Sequence, residues 1–393
     1  MQGNTFGRMF RITTCGESYS GGFRKNADFP EELYGGQMVI VDGVPPGLKI
    51  TAEAIEAELD KRRPGLSKLS TPRKEKDRVF IYSGVMEDDL STGAPVGMII
   101  PSSDINDVHI MQHKQNRELV RPGQASWTYY AKYGRYYDWA GAGRASARET
   151  VARVAGGAVA KLILDKMNID IIAYTVESHG IKASPVTYET AKANYRKNEI
   201  NCPDLKMAQE MIDDMAKVKA SGDSCGGVVE VVAAGVPAGL GEPVFDKLSA
   251  TIAHALVSIG GVKGIEFGEG FEHARMTGSE SNDTPYVEEE TGRIRFRTNR
   301  AGGLLGGISN GEEIRLRVAV KPTPTILKEQ LTVDIKKREN TSHVFASRSD
   351  PTILTRIYPV CEAMMRIALL DAIFMAYGYN GIKEIIDPEW KGL

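Results

Sequence analysis

Four stretches set charged side chains on the Gly and Pro residues that make sharp turns. TTCGESYSGG carries Glu17, Ser18 and Tyr19 at the tip of a glycine turn, and RRPGLSK carries Arg62, Arg63 and Lys68. RPGQAS is followed by GRASARET, which brings Arg121, Arg144, Ser146 and Arg148 close in the chain, and RSDP holds Arg348 and Asp350. Guanidinium forks match phosphate and carboxylate oxygens two at a time. A single arginine is usually solvated or paired, but arginines set repeatedly on turns at strand–helix junctions describe a site for a small, highly anionic ligand. Asp350 sits beside an arginine, and the bare sequence reads it equally well as a site carboxylate and as that arginine's ion-pair partner. The turn RPGQAS poses a question of its own: it is shaped for an anion, yet the residue it presents, Gln124, carries no titrating proton.

Other patterns are weaker. GAGRAS (Gly141 to Ser146) has the glycines of a dinucleotide turn, but YGRYYDWA before it is not the apolar strand such a turn requires. No GxxxxGK[ST] phosphate loop is present. His109 and His113 are four apart, as metal ligands on a helix are, but without a third ligand nearby they read as surface histidines. The basic run from Lys61 to Arg78 reads as a loop that grips a small anion, since the chain as a whole carries a net charge of −2 and gives no sign of a nucleic-acid binder. The four cysteines, Cys15, Cys202, Cys225 and Cys361, are too far apart for zinc or redox spacing, which predicts a reduced, cytoplasmic chain. The first residues lack the apolar core of a signal peptide, and no apolar run approaches the roughly 20 residues of a membrane helix.

The elements that must position these residues are mixed. RMFRITT, QMVIVDG, DRVFIYSG and VGMIIP read as strands, and TAEAIEAELDKRR as a helix capped by Thr51. A long helix is expected from Ser146, with Gly156 and Gly157 allowing a close neighbour. DLKMAQEMIDDMAKVKA reads as an amphipathic helix, GGVVEVVAAGV as a strand, VFDKLSATIAHALVSIG as a helix, and VKGIEFGEG and RIRFRT as strands. In EEIRLRVAV, Ile314, Leu316, Val318 and Val320 alternate with Arg315 and Arg317, the period of a half-buried antiparallel strand. VCEAMMRIALLDAIFMAYG is apolar almost all round, so it is a helix buried in the subunit or in an oligomer contact. With no linker and no repeat, the 393 residues read as one α+β domain.

Taken together, these stretches resemble the chorismate synthase family along almost the whole chain. GNTFGRMFRITTCGES resembles the family's opening and its G-E-S-H motif, GRASARETVARVAGGA its second motif, and RSDPTILTRIYPVCEAM its third. STPRKE, SGDSCGGVVEVVAAGVPAGLGEPVFDKL, VKGIEFGEGF, NRAGGLLGGISNGEEI and KPTPT follow in the family's order. The resemblance implies a β-α-β sandwich of antiparallel sheets flanked by helices, a homotetramer, and a 1,4-anti elimination of phosphate from 5-enolpyruvylshikimate 3-phosphate that gives chorismate. It implies reduced FMN (FMNH2) as cofactor, with a flavin reductase or another electron source as partner, and no metal, nucleic acid or membrane. Carried over by position, Arg62, Lys68, Arg121, Arg148 and Arg348 would grip the anionic substrate. Arg144, Ala145, Ser146, Gly306, Lys321, Pro322, Thr323, Pro324, Thr325 and Arg348 would line the flavin. Asp350 would help move a proton, with Ser18 and Ser146 orienting groups near it.

This chain departs from the family where the proton carriers belong. Tyr19 stands for the histidine of G-E-S-H, and in RPGQAS Gln124 stands for a second histidine and Ser126 for an aspartate. Lys68 stands for an arginine. Tyr19, with an unperturbed pKa of about 10, is a weak acid at neutral pH, and losing one general acid typically costs roughly 10²–10⁴ in rate. The stretch from about 20 to 38 reads as an insertion beside Tyr19. Three readings follow: a divergent working synthase, a paralogue acting on a related cyclohexene carboxylic acid with the same flavin, and a non-catalytic FMN- or ligand-binding subunit.

Overall fold

A computed structural model describes residues 3–19, 36–63, 77–102, 107–345 and 350–386, with only the backbone at positions 107 and 109. Two five-stranded antiparallel sheets form its outer layers. The first has the order β1 (Thr5–Phe6), β2 (Arg11–Cys15), β3 (Gly36–Asp42), β5 (Val96–Pro101) and β4 (Phe80–Ser83). The second has the order β7 (Ile181–Lys182), β6 (Asp170–Ser178), β8 (Gly227–Ala234), β14 (Ile314–Val320) and β9 (Val262–Phe267). The alternation read in β14 is realised: Ile314, Leu316, Val318 and Val320 are buried, and Arg315 and Arg317 lie on the opposite face. Short ribbons β10 (Pro285–Val287) with β11 (Ile294–Phe296), β12 (Leu304–Leu305) with β13 (Ile308–Ser309), and β15 (Gln330–Asp334) with β16 (Glu339–His343) decorate the second half.

Between the sheets lie the helices, so the β-α-β sandwich expected of the chain has its helical layer as the filling. Helix α1 (Ala52–Asp60) and helix α4 (Thr150–Lys166) serve the first sheet, while α7 (Leu248–Val257) and α9 (Leu354–Ile386) back the second. The glycine pair in α4 explains how the layers close up. A Cβ on Gly156 would lie 2.9 Å from Ile12 of the first sheet, and one on Gly157 would lie 2.4 Å from Ala363 of α9. One glycine admits the sheet and the next admits the neighbouring helix. Helices α2 (Asp107–Gln115), α3 (Ser126–Tyr133), α5 (Tyr188–Asn194), α6 (Leu205–Ala220) and the short α8 (Gly278–Ser281) lie at the periphery.

Thr51 caps α1 as the sequence predicts, its hydroxyl accepting the N–H of Ala54 at 3.2 Å. The helix expected from Val244 starts at Leu248 instead, because the Leu248 N–H is taken by the Gly307 carbonyl at 2.7 Å and the chain before it turns on itself. The strand read in RIRFRT contracts to Ile294–Phe296. Of the stretch read as an insertion, 20–35 lies outside the described residues, and Gly36, Gln37 and Met38 already pair with β5 as part of β3.

Helix α9 is buried from Leu354 to Leu370 apart from Arg356, and its polar groups are compensated inside the protein. Arg366 donates to Glu58 of α1 at 2.9 Å and to Glu362 at 3.2 Å; Lys61 reaches Glu58 at 2.5 Å, and the Ala173 N–H of β6 donates to Glu362 at 3.1 Å. Asp371 accepts the N–H groups of Arg8, Met9 and Phe10 at 2.7–3.0 Å and so fixes the start of the first sheet to α9. Among the described residues no helix is long and apolar enough to cross a membrane.

Candidate active site

Strand β2 ends at Cys15, and Gly16, with a φ of +103°, turns the chain after it. Ser18 and Tyr19 at the tip are buried, Tyr19 to 4 % exposure. They fit because Gly141 has no side chain: a Cβ there would lie 2.5 Å from the Tyr19 ring and 2.6 Å from the Ser18 hydroxyl. The GAGRAS stretch is thus a receptacle for the N-terminal turn, with Gly141, Ala142 and Gly143 all in left-handed conformations. Arg144 donates to the Gly16 carbonyl at 2.9 Å, to the Thr14 hydroxyl at 2.7 Å and to Asn4 at 3.2 Å. These bonds clamp the strand end and occupy the Arg144 guanidinium with protein acceptors. Ser146 caps the turn that leads into α4, its hydroxyl accepting the Arg148 N–H at 3.3 Å. Arg148 donates to the Ser18 carbonyl at 2.7 Å and lies 5.1 Å over the Tyr19 ring.

On the other side of Tyr19 is His113, edge-on, with ring centroids 5.3 Å apart. The expectation of a surface histidine there is overturned: its Nδ1 lies 2.6 Å from a guanidinium nitrogen of Arg121. The His109 side chain lies outside the described set, and no cluster of metal-binding side chains occurs among the described residues. Ser126 shapes the turn that holds Arg121, its hydroxyl accepting the Arg121 N–H at 2.8 Å, while the Gln124 N–H donates to the Arg121 carbonyl at 3.2 Å. His113, Arg121 and Gln124 line one small cleft; Arg148, Arg62, Asp77 and Gln37 line the next.

The segment Lys321 to Thr325 joins these parts. The Lys321 ammonium donates to the Gly123 carbonyl, and a Cβ on Gly123 would lie 3.1 Å from Pro324, so the segment docks on the RPGQ turn. Its Thr323 hydroxyl donates to the Asp350 carbonyl at 2.7 Å. The Lys321 N–H donates to Gly261 at 2.9 Å, beside Gly260, whose nearest neighbour is the Ala145 carbonyl. The carboxylate of Asp350 pairs with Arg356 in the first turn of α9 at 2.9 Å. Arg356 also donates to the Arg62 carbonyl at 3.0 Å, and Arg62 itself is buried against Asp77 at 2.6 Å.

Electrostatically the site is short of negative charge. Burial pushes the Arg121 guanidinium below its ordinary value, and no carboxylate touches it among the described residues. Burial, then the like charge of Lys263, push the Lys321 ammonium down. Burial also lowers Arg356, opposed by Asp350 and reinforced by Arg62. Desolvated cations with few counter-charges favour an anionic ligand.

Of the residues expected at the site, the structure brings together Ser18, Tyr19, Arg62, Arg121, Gln124, Ala145, Ser146, Arg148, Lys321 to Thr325 and Asp350. It sets Gly306 apart. Next to it, Gly307 sits at the start of α7, whereas Lys321 lies beyond the end of that ten-residue helix, roughly 15 Å away along its axis. Lys68 and Arg348 lie outside the described residues. A cavity of about 670 Å³ lies elsewhere, on the outer face of the second sheet around Tyr174, Arg315 and Arg317. Sequence reasoning missed Lys263 and Arg356, and it weighed His113 only as half of a metal pair or as a surface histidine. Of the two it missed, only Arg356 had a signal, six residues after Asp350 within the third motif.

The family profile described as Chorismate synthase matches residues 10–374. A curated chorismate synthase of Acetivibrio thermocellus is 66% identical over 394 residues, covering 100% of both chains. That of Methanosarcina barkeri is 48% identical over 371 residues, 94% of this chain and 96% of its own, and that of Archaeoglobus fulgidus is 46% identical over 374 residues, 95% and 97%. A crystal structure of chorismate synthase superposes with a TM-score of 0.71 at 28% identity, covering 97% of each chain.

Proposed function

The chain belongs to the chorismate synthase family of lyases, and from that premise we propose that it eliminates phosphate from 5-enolpyruvylshikimate 3-phosphate to give chorismate, with reduced FMN as cofactor. One observation carries the reading. Arg148 stands over the Tyr19 ring, Arg121 meets His113 beside that ring and Lys321 docks on the turn that follows Arg121, and Arg121 and Lys321 have no carboxylate partner among the described residues. A substrate with one phosphate and two carboxylates supplies the missing negative charge. The full-length similarity to the Acetivibrio thermocellus chorismate synthase supports the working enzyme over a paralogue or a binding subunit.

The residues fit a flavin phosphate in their chemistry. Lys321 stands near a second cation, Lys263, beside the threonine hydroxyls of the 321–325 segment and the 145–146 turn. When bound, reduced FMN supplies electron density to the carbon–oxygen bond that breaks. The chain's own residues do the rest. Arg121 and Arg148 hold the anionic groups in one orientation. Asp350, fixed through its carbonyl by Thr323 and through its carboxylate by Arg356, accepts a proton at a defined place. A flavin reductase or other reductant is the partner implied. Exposed Met38, Ile40 and Phe80 on the outer face of the first sheet support self-association as a homotetramer.

The test is an anaerobic assay with chemically reduced FMN and 5-enolpyruvylshikimate 3-phosphate. Chorismate and phosphate released one to one are expected; neither product appearing would defeat the reading.

A further inference from the structure

A phosphate that leaves on carbon–oxygen cleavage leaves faster when it receives a proton from a group that titrates near neutral pH. The Gln124 amide has no such proton to give. An imidazole titrates there, and among the described residues one histidine reaches the arginine cleft: His113, from helix α2, between Tyr19 and Arg121. We propose that His113 is the proton carrier of this site, held neutral by Arg121 in the free protein and charged when an anion binds.

The tautomer follows from the partner. A guanidinium only donates, so Nδ1 of His113 accepts the bond from Arg121 at 2.6 Å and the ring's proton sits on Nε2. In the free protein a proton on Nδ1 would face a fixed cation. An anion held by Arg121 reverses that: it neutralises the guanidinium and offers an acceptor on the Nδ1 side. Among the described residues, the other charged and titratable groups nearby do not reproduce this control. Arg148 stands over the Tyr19 ring, and Arg117 and Lys114 are exposed cations. Tyr137 is kept protonated by burial. Asp138 is pushed up by burial, partly offset by the Ala140 N–H and reinforced by Glu17.

The step rests on the elimination proposed above. The carbon–oxygen bond breaks with its electron pair on the phosphate oxygen. The Nδ1 proton moves to that oxygen and His113 returns to neutral. The electron pair of the new double bond comes from the carbon–hydrogen bond at the far end of the allylic system, whose proton leaves there. Substrate binding is therefore coupled to proton uptake, and a histidine reaching in from α2 serves where the RPGQ turn presents an amide.

Two measurements on the full chain decide it. Calorimetric titration with inorganic phosphate near pH 7, in buffers of different ionisation enthalpy, counts protons taken up on binding. Wild type is expected to take up more than His113→Gln. Equal uptake by the two, or none by wild type, overturns the proposal, and this result stands whatever reaction the protein performs. In turnover with 5-enolpyruvylshikimate 3-phosphate and reduced FMN, His113→Gln should lose roughly 10²–10⁴ in kcat with KM within a few-fold. It should also lose the pH limb near the imidazole pKa of about 6.5, and it should regain activity when combined with Tyr19→His, which returns an imidazole to the same space. A variant with wild-type kcat, or one whose loss is all in KM and resists that rescue, overturns it. A wild type without turnover defeats the reaction assigned above, while the titration still judges His113.

Discussion

Arg366 and Arg121 are the same side chain taken out of water in two regions, and their surroundings push them in opposite directions. Burial lowers Arg366, but the carboxylates of Glu362 and Glu58 more than offset it and hold its guanidinium above the ordinary value. Burial lowers Arg121, and only the phenols of Tyr137 and Tyr19 oppose it; its near neighbours are an imidazole and, 5.8 Å away, the ring of Phe345. A buried cation whose counter-charges are built in is architecture. A desolvated cation whose counter-charge is missing is a binding site awaiting an anion, and it lowers stability until one arrives.

Breaking the architectural side should have the largest effect. Arg366→Met leaves Glu58 and Glu362 buried without their cation, so urea unfolding should show a loss of about 3–5 kcal/mol. Anion affinity of the fraction that stays folded should be unchanged. Asp350→Asn tests the pair that belongs to both sides, because its carboxylate holds Arg356 as Glu58 holds Arg366. If Asp350 takes up a proton, kcat with reduced FMN falls by roughly 10²–10⁴ while FMN affinity stays within a few-fold. Single-turnover kinetics set beside binding isotherms would reveal a purely structural role as a parallel fall in both.

Arg121→Met should do the reverse of Arg366→Met. Affinity for 5-enolpyruvylshikimate 3-phosphate falls by the equivalent of about 1.5–3 kcal/mol, the contribution of a charged hydrogen bond, while the thermal midpoint stays level or rises. A clear drop in the midpoint would place Arg121 with the architecture.

The pH dependence sharpens the contrast within the core network. Burial pushes the Glu58 carboxyl up, but Arg366 and Lys61 outweigh it and hold it below the usual carboxylate range. Its folded pKa is thus depressed, so its stabilisation is present above the unfolded value of about 4.3 and is lost as pH falls through the folded one. The stability gap between wild type and Glu58→Gln should be full at pH 6 and close as the pH drops below that value. Glu362, wholly buried, is pushed up instead by that burial despite Arg366 and Lys61, and its removal should not abolish this acid limb. The smallest effect is expected from adding imidazoles to the site. Tyr19→His with Gln124→His should raise chorismate formation by less than about tenfold, because His113 already supplies a general acid. A larger gain in steady-state kcat would argue that the site lacks one.

Much of this molecule was legible along the chain. The 2.0 period of β14, the Thr51 cap and the apolar length of α9 name their own structures because each depends on neighbours within a few residues. The glycine pair in α4 announced close packing without saying on what; Ile12 and Ala363 are far away in sequence. The arginine turns were legible for the same local reason, since Gly and Pro mark where the backbone must reverse.

What the sequence by itself determined was the family, the order of elements and the turns that carry arginines. The tertiary structure decided which of those arginines are compensated by their own neighbours. Arg62 and Arg144 look like Arg121 in sequence, yet Asp77 pairs one and the carbonyl of Gly16 with the hydroxyl of Thr14 binds the other. It also decided that Asp350 pairs with Arg356, and that His113, which its spacing from His109 marked only as half of a histidine pair, stands against Tyr19 and Arg121. A side chain's charge is a local property, but whether that charge is compensated depends on what the fold brings within hydrogen-bond reach, and those partners come from other elements.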